Sequence, residues 1–153
     1  NWQWQWFVTL TMRGAPHPEQ AAKLFRLWIS MLNRHLYGPR YYKKLRFVHW
    51  VVATERQKRG AIHFHALVGG EGLALASRLE WMAQWNRLAG FARIEEPHSQ
   101  EAVRLYCAKY VTKDGEIDFA PHMRLHVGTQ HTFRARPLRG SPRKRVPQRV
   151  PNY

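Results

Sequence analysis

Apolar and polar positions alternate from Phe7 to Met12, with Val8, Leu10 and Met12 on one side and Phe7, Thr9 and Thr11 on the other. That two-residue period predicts a half-buried strand. After a loop from Gly14 to Pro18 the period changes. Ala21, Leu24, Phe25, Trp28, Met31 and Leu32 recur at helical spacing and predict a helix from Glu19 to Leu36, with Pro18 at its entry and Gly38-Pro39 past its exit. Phe47 to Glu55 is rich in valine and aromatics and predicts a second strand. The charged stretch Arg56 to Gly60 reads as a hairpin loop, and Ile62 to Val68 as the returning strand. A helix is expected from Leu73 to about Leu88, with Leu75, Leu79 and Met82 on one face, then a short strand from Gly90 to Ile94. Ser99 is placed to cap a third helix with Glu101 in its first turn. Val103, Tyr106, Cys107 and Tyr110 form its inward stripe. A last strand is expected from Met123 to Val127 or from Thr129 to Phe133.

Strand-helix-strand-strand-helix-strand order predicts an α+β fold, an antiparallel β-sheet with helices packed on one face, of ferredoxin-like or RRM-like layout. With 153 residues a single domain is expected. It is assigned to residues 1–136, followed by a flexible basic Pro/Arg-rich tail at 137–153. The chain starts at Asn1, which reads as a processed chain or an excised domain.

Charge changes the picture. The formal net charge is +15, and from Arg134 onward seven basic residues occur without one acid. The 18 basic and 10 acidic residues before that point still leave the domain proper basic. A field of this sign draws a polyanion, usually nucleic acid. A membrane surface is the weaker partner, because the tail is proline-rich and carries no amphipathic helix. No apolar run is long enough to span a bilayer, and no secretory signal is visible. The single cysteine, Cys107, rules out an internal disulfide and fits a reducing compartment. A cytoplasmic, nucleoid-associated location is expected for a prokaryotic source.

Candidate chemistry gathers in two places. His63 and His65 alternate in a strand and so point the same way, with Phe64 opposite. Glu55 ends the preceding strand; whether it shares the histidines' face depends on register. Two imidazoles and a carboxylate suit Mn²⁺ or Mg²⁺ in phosphate chemistry, and would also hold zinc. His49 lies too far along the strand to join them. In the third helix Tyr106 and Tyr110 are one turn apart, with Lys109 and Lys113 three residues beyond each. A lysine beside a phenol stabilises the phenolate and neutralises phosphate charge. Taken alone, each pattern is more often structural. Together and in this order they point to phosphoryl transfer. Trp2, Trp4 and Trp6 alternate as well, and packing is expected of them rather than base stacking.

These residues resemble the HUH endonucleases, in particular the nuclease domain of rolling-circle replication initiators. Phe7-Val8-Thr9-Leu10-Thr11 looks like the family's first motif. His63-Phe64-His65, led in by Glu55, Gln57 and Gly60, looks like its metal-binding motif, and Tyr110-Val111-Thr112-Lys113-Asp114-Gly115 like its Tyr-x-x-Lys motif. The resemblance spans roughly Phe7 to Gly115. It implies that His63, His65 and Glu55 bind a divalent metal, Mn²⁺ or Mg²⁺. Tyr110 is then the nucleophile and Lys113 its partner. Tyr106 to Lys113 also resembles the two-tyrosine initiators, and Tyr106 with Lys109 could itself be the Tyr-x-x-Lys pair. Thr9, Thr11, Arg56, Lys58, Arg59, Arg143, Lys144 and Arg145 are the expected DNA contacts. The implied activity is nicking and joining of single-stranded DNA at a replication origin, at a stem-loop, through a 5′-phosphotyrosine link. A host or fused helicase is the implied partner. A single-strand transposase of the same type, or a non-catalytic RRM-like single-strand binder, is the rival reading.

Overall fold

The computed structural model describes residues 2–57, 60–112 and 116–123, excepting the side chains of residues 110–112. Five strands form one antiparallel sheet. They are β1 (Trp6–Met12), β2 (His49–Arg56), β3 (Ile62–Gly69), β4 (Gly90–Glu95) and β5 (Glu116–Phe119). Their spatial order is β4-β1-β3-β2-β5. The first four strands, with α1 (Pro18–Tyr37) after β1 and α2 (Arg78–Leu88) after β3, make the expected ferredoxin-like βαββαβ unit. A third helix, α3 (Gln100–Thr112), follows β4, and β5 then pairs with the free edge of β2.

The sheet's two faces differ by the strict alternation of β1 and β3. Trp6, Val8, Leu10 and Met12 of β1 and Ile62, Phe64, Ala66 and Val68 of β3 are buried. They form one core with Phe25, Trp28, Ile29 and Leu32 of α1 and with Trp81 and Trp85 of α2. Indole nitrogens tie the layers: Trp85 Nε1 donates to the Thr11 carbonyl at 3.3 Å and Trp28 Nε1 to the Trp81 carbonyl at 3.2 Å. Buried Asn33 accepts the Val48 amide at 2.7 Å, which fixes the entry to β2.

Four expectations are corrected. The helices do not all lie on one face: Tyr106 of α3 packs on Phe7 and His65, side chains that alternate away from the core. The stretch from Leu73 is not one helix. A 3₁₀ turn at Leu73–Leu75 ends before Ser77, whose hydroxyl accepts the Glu80 amide and starts α2 afresh. Leu75 and Leu79 are therefore exposed, and Trp81 and Trp85 carry the inward face. The last described strand is β5 at Glu116–Phe119, while Met123 closes a 3₁₀ turn at Pro121–Met123. The expected strand at 129–133, the rest of the one at 123–127 and the tail lie outside the described residues. Arg56 ends β2 rather than opening the hairpin loop. The loop itself holds Gly60 at φ +79°, where a side chain would strain the backbone.

Candidate functional site

The register of the ladders brings the chemistry into rows. Glu55 of β2 sits opposite His63 of β3, which sits opposite Thr11 of β1, which sits opposite Phe91 of β4. One row along, Ile117, Ala53, His65, Thr9 and Arg93 follow across all five strands. Paired residues share a face, so Glu55 does lie on the histidines' face. The question left by the sequence is answered by backbone pairing alone.

Side chains add detail. His65 Nε2 lies 3.1 Å from Glu55 Oε2 and His65 Nδ1 3.5 Å from the Thr9 hydroxyl. His63 Nδ1 lies 3.5 Å from the Thr11 hydroxyl. The Thr9 and Thr11 hydroxyls, expected on DNA, meet the imidazoles instead. They are orienting groups, of the kind that fixes a histidine's tautomer. Burial lowers the proton affinity of His65, the hydrogen bond and charge of Glu55 oppose this, and the positive charges at His63 and Lys109 push it down again. His65 is thus neutral at pH 7. With Nδ1 accepting from Thr9, Nε2–H donates to Glu55. Glu55 is half-exposed, so this pair adds little stability and chiefly sets orientation.

Above this face runs α3. Ser99 caps it by accepting the Ala102 amide at 3.0 Å. Gln100 clamps its first turn to the chain before β1, with Nε2 donating to the Trp4 carbonyl and Oε1 accepting the Trp4 amide. Val103 is buried against the sheet. Tyr106 stands with its ring perpendicular to Phe7 at 4.7 Å and 6.2 Å from the His65 ring. Lys109 is close enough for its charge to act on His65. Tyr110 follows in α3 one turn on, about 6 Å along the axis.

The other expected site residues divide. Arg56 is exposed and pairs with Ile62, which places it on the opposite face from Glu55. The side chain of Tyr110, and Lys113, Lys58, Arg59, Arg143, Lys144 and Arg145, lie outside the described residues. Among the described residues no group of three His, Cys, Asp or Glu gathers closely enough to hold a metal ion. Two of the three expected ligands, His65 and Glu55, do meet, while His63 turns to Thr11. Phe91 and Arg93 share the site's face and were not foreseen. Their signal was the alternation with Ala92 and Ile94 in a stretch read only as a short strand.

Two rows of polar side chains on one sheet face, under a helix that brings a tyrosine, define a protein with a candidate phosphate-chemistry site on an α+β scaffold. Residues 5–115, most of the chain, match the replication-associated protein family of the ORF2 and gene 2 protein type, and the chain belongs to that family. No curated protein and no solved structure matches it. Among the described residues no helix is long and apolar enough to cross a membrane.

Proposed function

We propose that this protein is a metal-dependent endonuclease and strand transferase for single-stranded DNA, acting in the cytoplasm to initiate rolling-circle replication. The observation that carries the reading is the row Glu55–His63 with His65 beside it, on the face covered by α3 and Tyr106. Two imidazoles and a carboxylate on neighbouring strands are a donor set that fits Mn²⁺ or Mg²⁺. His65 Nε2 and Glu55 Oε2 are the atoms already converging, and His63 joins them by turning its ring away from Thr11. When bound, the ion polarises the scissile phosphate.

The residues of the chain do the rest. Thr9 and Thr11 hold the imidazoles in orientation. A tyrosine oxygen of α3 attacks the phosphorus. The bond to the 3′-oxygen breaks, the 5′-phosphate stays on the tyrosine, and a free 3′-hydroxyl leaves. Joining runs the same step backwards. A neighbouring lysine, Lys113 or Lys109, lowers the cost of the phenolate at neutral pH. By motif order Tyr110 is the nucleophile with Lys113. A second reading, with Tyr106 and Lys109 in those roles, is favoured by the nearness of the Tyr106 ring and the Lys109 charge to His65. An origin stem-loop is the substrate and a helicase the working partner.

The test is an adduct gel on single-stranded origin DNA with Mn²⁺. Adduct lost in Tyr110→Phe and kept in Tyr106→Phe assigns Tyr110, and the converse assigns Tyr106. Adduct in both single variants but not in the double means that the tyrosines alternate. No adduct from the wild-type protein, or full activity in excess chelator, overturns the nuclease reading.

A further inference from the structure

The far end of the β2–β3 ladder carries a second concentration of nucleic-acid chemistry. His49 begins β2 and Glu55 nearly ends it. Six residues of strand put about 20 Å between them. The segment 38–49 leading into β2 contains Arg40, Lys43, Lys44 and Arg46 and no acid. All four side chains are exposed. Arg46 is tied to Glu71 at 2.8 Å, but Arg40, Lys43 and Lys44 form no ion pair among the described residues.

This segment is not a loose loop. Successive turns close it, with Lys43 and Lys44 amides donating to the Arg40 carbonyl and the Arg46 amide to the Tyr41 carbonyl. Tyr41 is hydrogen-bonded to Ser30 of α1 at 2.9 Å and packs edge-on against Phe47. Leu45, at φ +52° and exposed, stands at the crest. The basic groups are thus presented on a fixed scaffold, and holding them there costs little ordering on binding.

Beside the segment opens a cavity of about 470 Å³, lined by Trp2, Leu45, Arg46, Phe47, His49 and Glu71 among others. Its walls are rings. Trp2 lies 4.8 Å from His49, and Phe47 stacks on His122 at 5.5 Å. Gln5 braces the floor through both ends of its amide on Gly70. Aromatic walls with a polar floor, bordered by lysines without acidic partners, match a planar base whose flanking phosphates sit outside.

We propose that this end of the sheet is a second nucleic-acid site, in which one base of a single strand enters between Trp2 and Phe47 while Lys43, Lys44 and Arg40 hold adjacent phosphates. The choice of DNA as the polymer rests on the nuclease reading. The site lies away from the histidines, so it anchors a stretch of strand flanking the one to be cut.

The test uses the full chain and fluorescent homothymidine strands from about 4 to about 16 nucleotides, the range of site sizes for such surfaces. Wild-type affinity rises in a step once a strand spans both ends of the sheet. In Lys43→Ala/Lys44→Ala the step disappears, and the slope of log affinity against log salt falls by about 1.4, two phosphate contacts at about 0.7 each. Trp2→Ala, checked for its melting temperature, loses about 10-fold on long strands only. Length curves and salt slopes that coincide for the lysine variant and wild type overturn the second site. So does a loss of binding to phosphatidylserine vesicles with DNA binding untouched, since that assigns the patch to a membrane. Adduct formation is scored separately. A wild-type protein that makes no adduct yet keeps the length step refutes the nuclease reading and leaves this site standing.

Discussion

The two faces of β1 and β3 are made by the same stretches of backbone and do opposite jobs. On one, Val8, Leu10, Ala66 and Val68 are almost wholly out of water, with α1 and α2 laid over them. On the other, Thr9, Thr11, His63 and His65 stay partly wet and hydrogen-bond to one another across the strands. A buried polar group needs a partner and a buried aliphatic group needs only volume. The core face therefore specifies shape, while the other specifies partners. Stability is concentrated on the first face and chemistry on the second, although neighbouring residues alternate between them.

That contrast can be broken most sharply by substitutions on the polar face. His63→Ala or His65→Ala should abolish adduct formation, a loss of at least about 100-fold if the ion supplies even part of the charge stabilisation expected of such sites. Their melting temperatures should stay within a few degrees of wild type. A large drop in melting temperature would mean that the histidines are structural. Leu10→Ala and Trp85→Ala, on the core face, should do the reverse. Leu10→Ala should cost about 2–5 kcal/mol of unfolding free energy and Trp85→Ala about 3–5 kcal/mol by denaturant titration, with adduct chemistry kept in whatever fraction remains folded.

A smaller effect concerns the basic residues beyond the sheet. Removing the chain from Arg134 onward should flatten the salt dependence of single-strand binding, since each lost phosphate contact takes about 0.7 from the slope. An unchanged slope would show that those arginines do not touch DNA.

Smaller again is a pH effect. Burial lowers the proton affinity of His49, against a hydrogen bond from its ring to the Gln3 carbonyl at 2.7 Å. Its folded value lies below the ordinary 6.5, so the unfolded chain takes up the proton first. Stability from this group is present above pH 6.5 and is lost as pH falls from there toward the folded value. The melting temperature of wild type should drop more between neutral and mildly acid pH than that of His49→Gln. Parallel curves for the two would remove His49 from the account. At the bottom of the scale, Thr9→Ala and Thr11→Ala should shift stability by only about 1 kcal/mol while slowing nicking through misoriented imidazoles. Rates equal to wild type would reduce the threonines to bystanders.

Much of this architecture could be read from single residues. Alternation at Phe7 to Met12 and Ile62 to Val68, with the helical repeat of Ala21, Phe25, Trp28 and Leu32, located three elements within a residue or two of their ends. Such patterns are legible because burial acts on each side chain separately. The misreadings share a cause. Leu75 and Leu79 looked inward by spacing, but Ser77 restarts the helix and the larger indoles of Trp81 and Trp85 take the core. The short β5 shows little periodicity of its own and exists because the edge of β2 offers it a ladder. The alternation of Trp2, Trp4 and Trp6 did not make a longer strand. Trp6 enters the core, while Trp2 and Trp4 pack around His49, where Gly69 leaves room for the imidazole and the Gln3 carbonyl.

The candidate site shows the same division. The sequence by itself determined which groups were available: two histidines one residue apart, a glutamate before a hairpin glycine, tyrosines and lysines at helical spacing, and a net positive charge. It also determined that His63 and His65 share a face, because the period of a strand is a local property. Only the tertiary structure decided that Glu55 falls opposite His63, that Thr9 and Thr11 reach the imidazoles, and that α3 crosses to the second face with Tyr106 beside His65. Each of these depends on register or on which side of a sheet a helix returns to. Hydrogen bonds between strands distant in sequence set the register, and the exclusion of water from the whole assembly sets the side, so neither is written in any one segment of the chain.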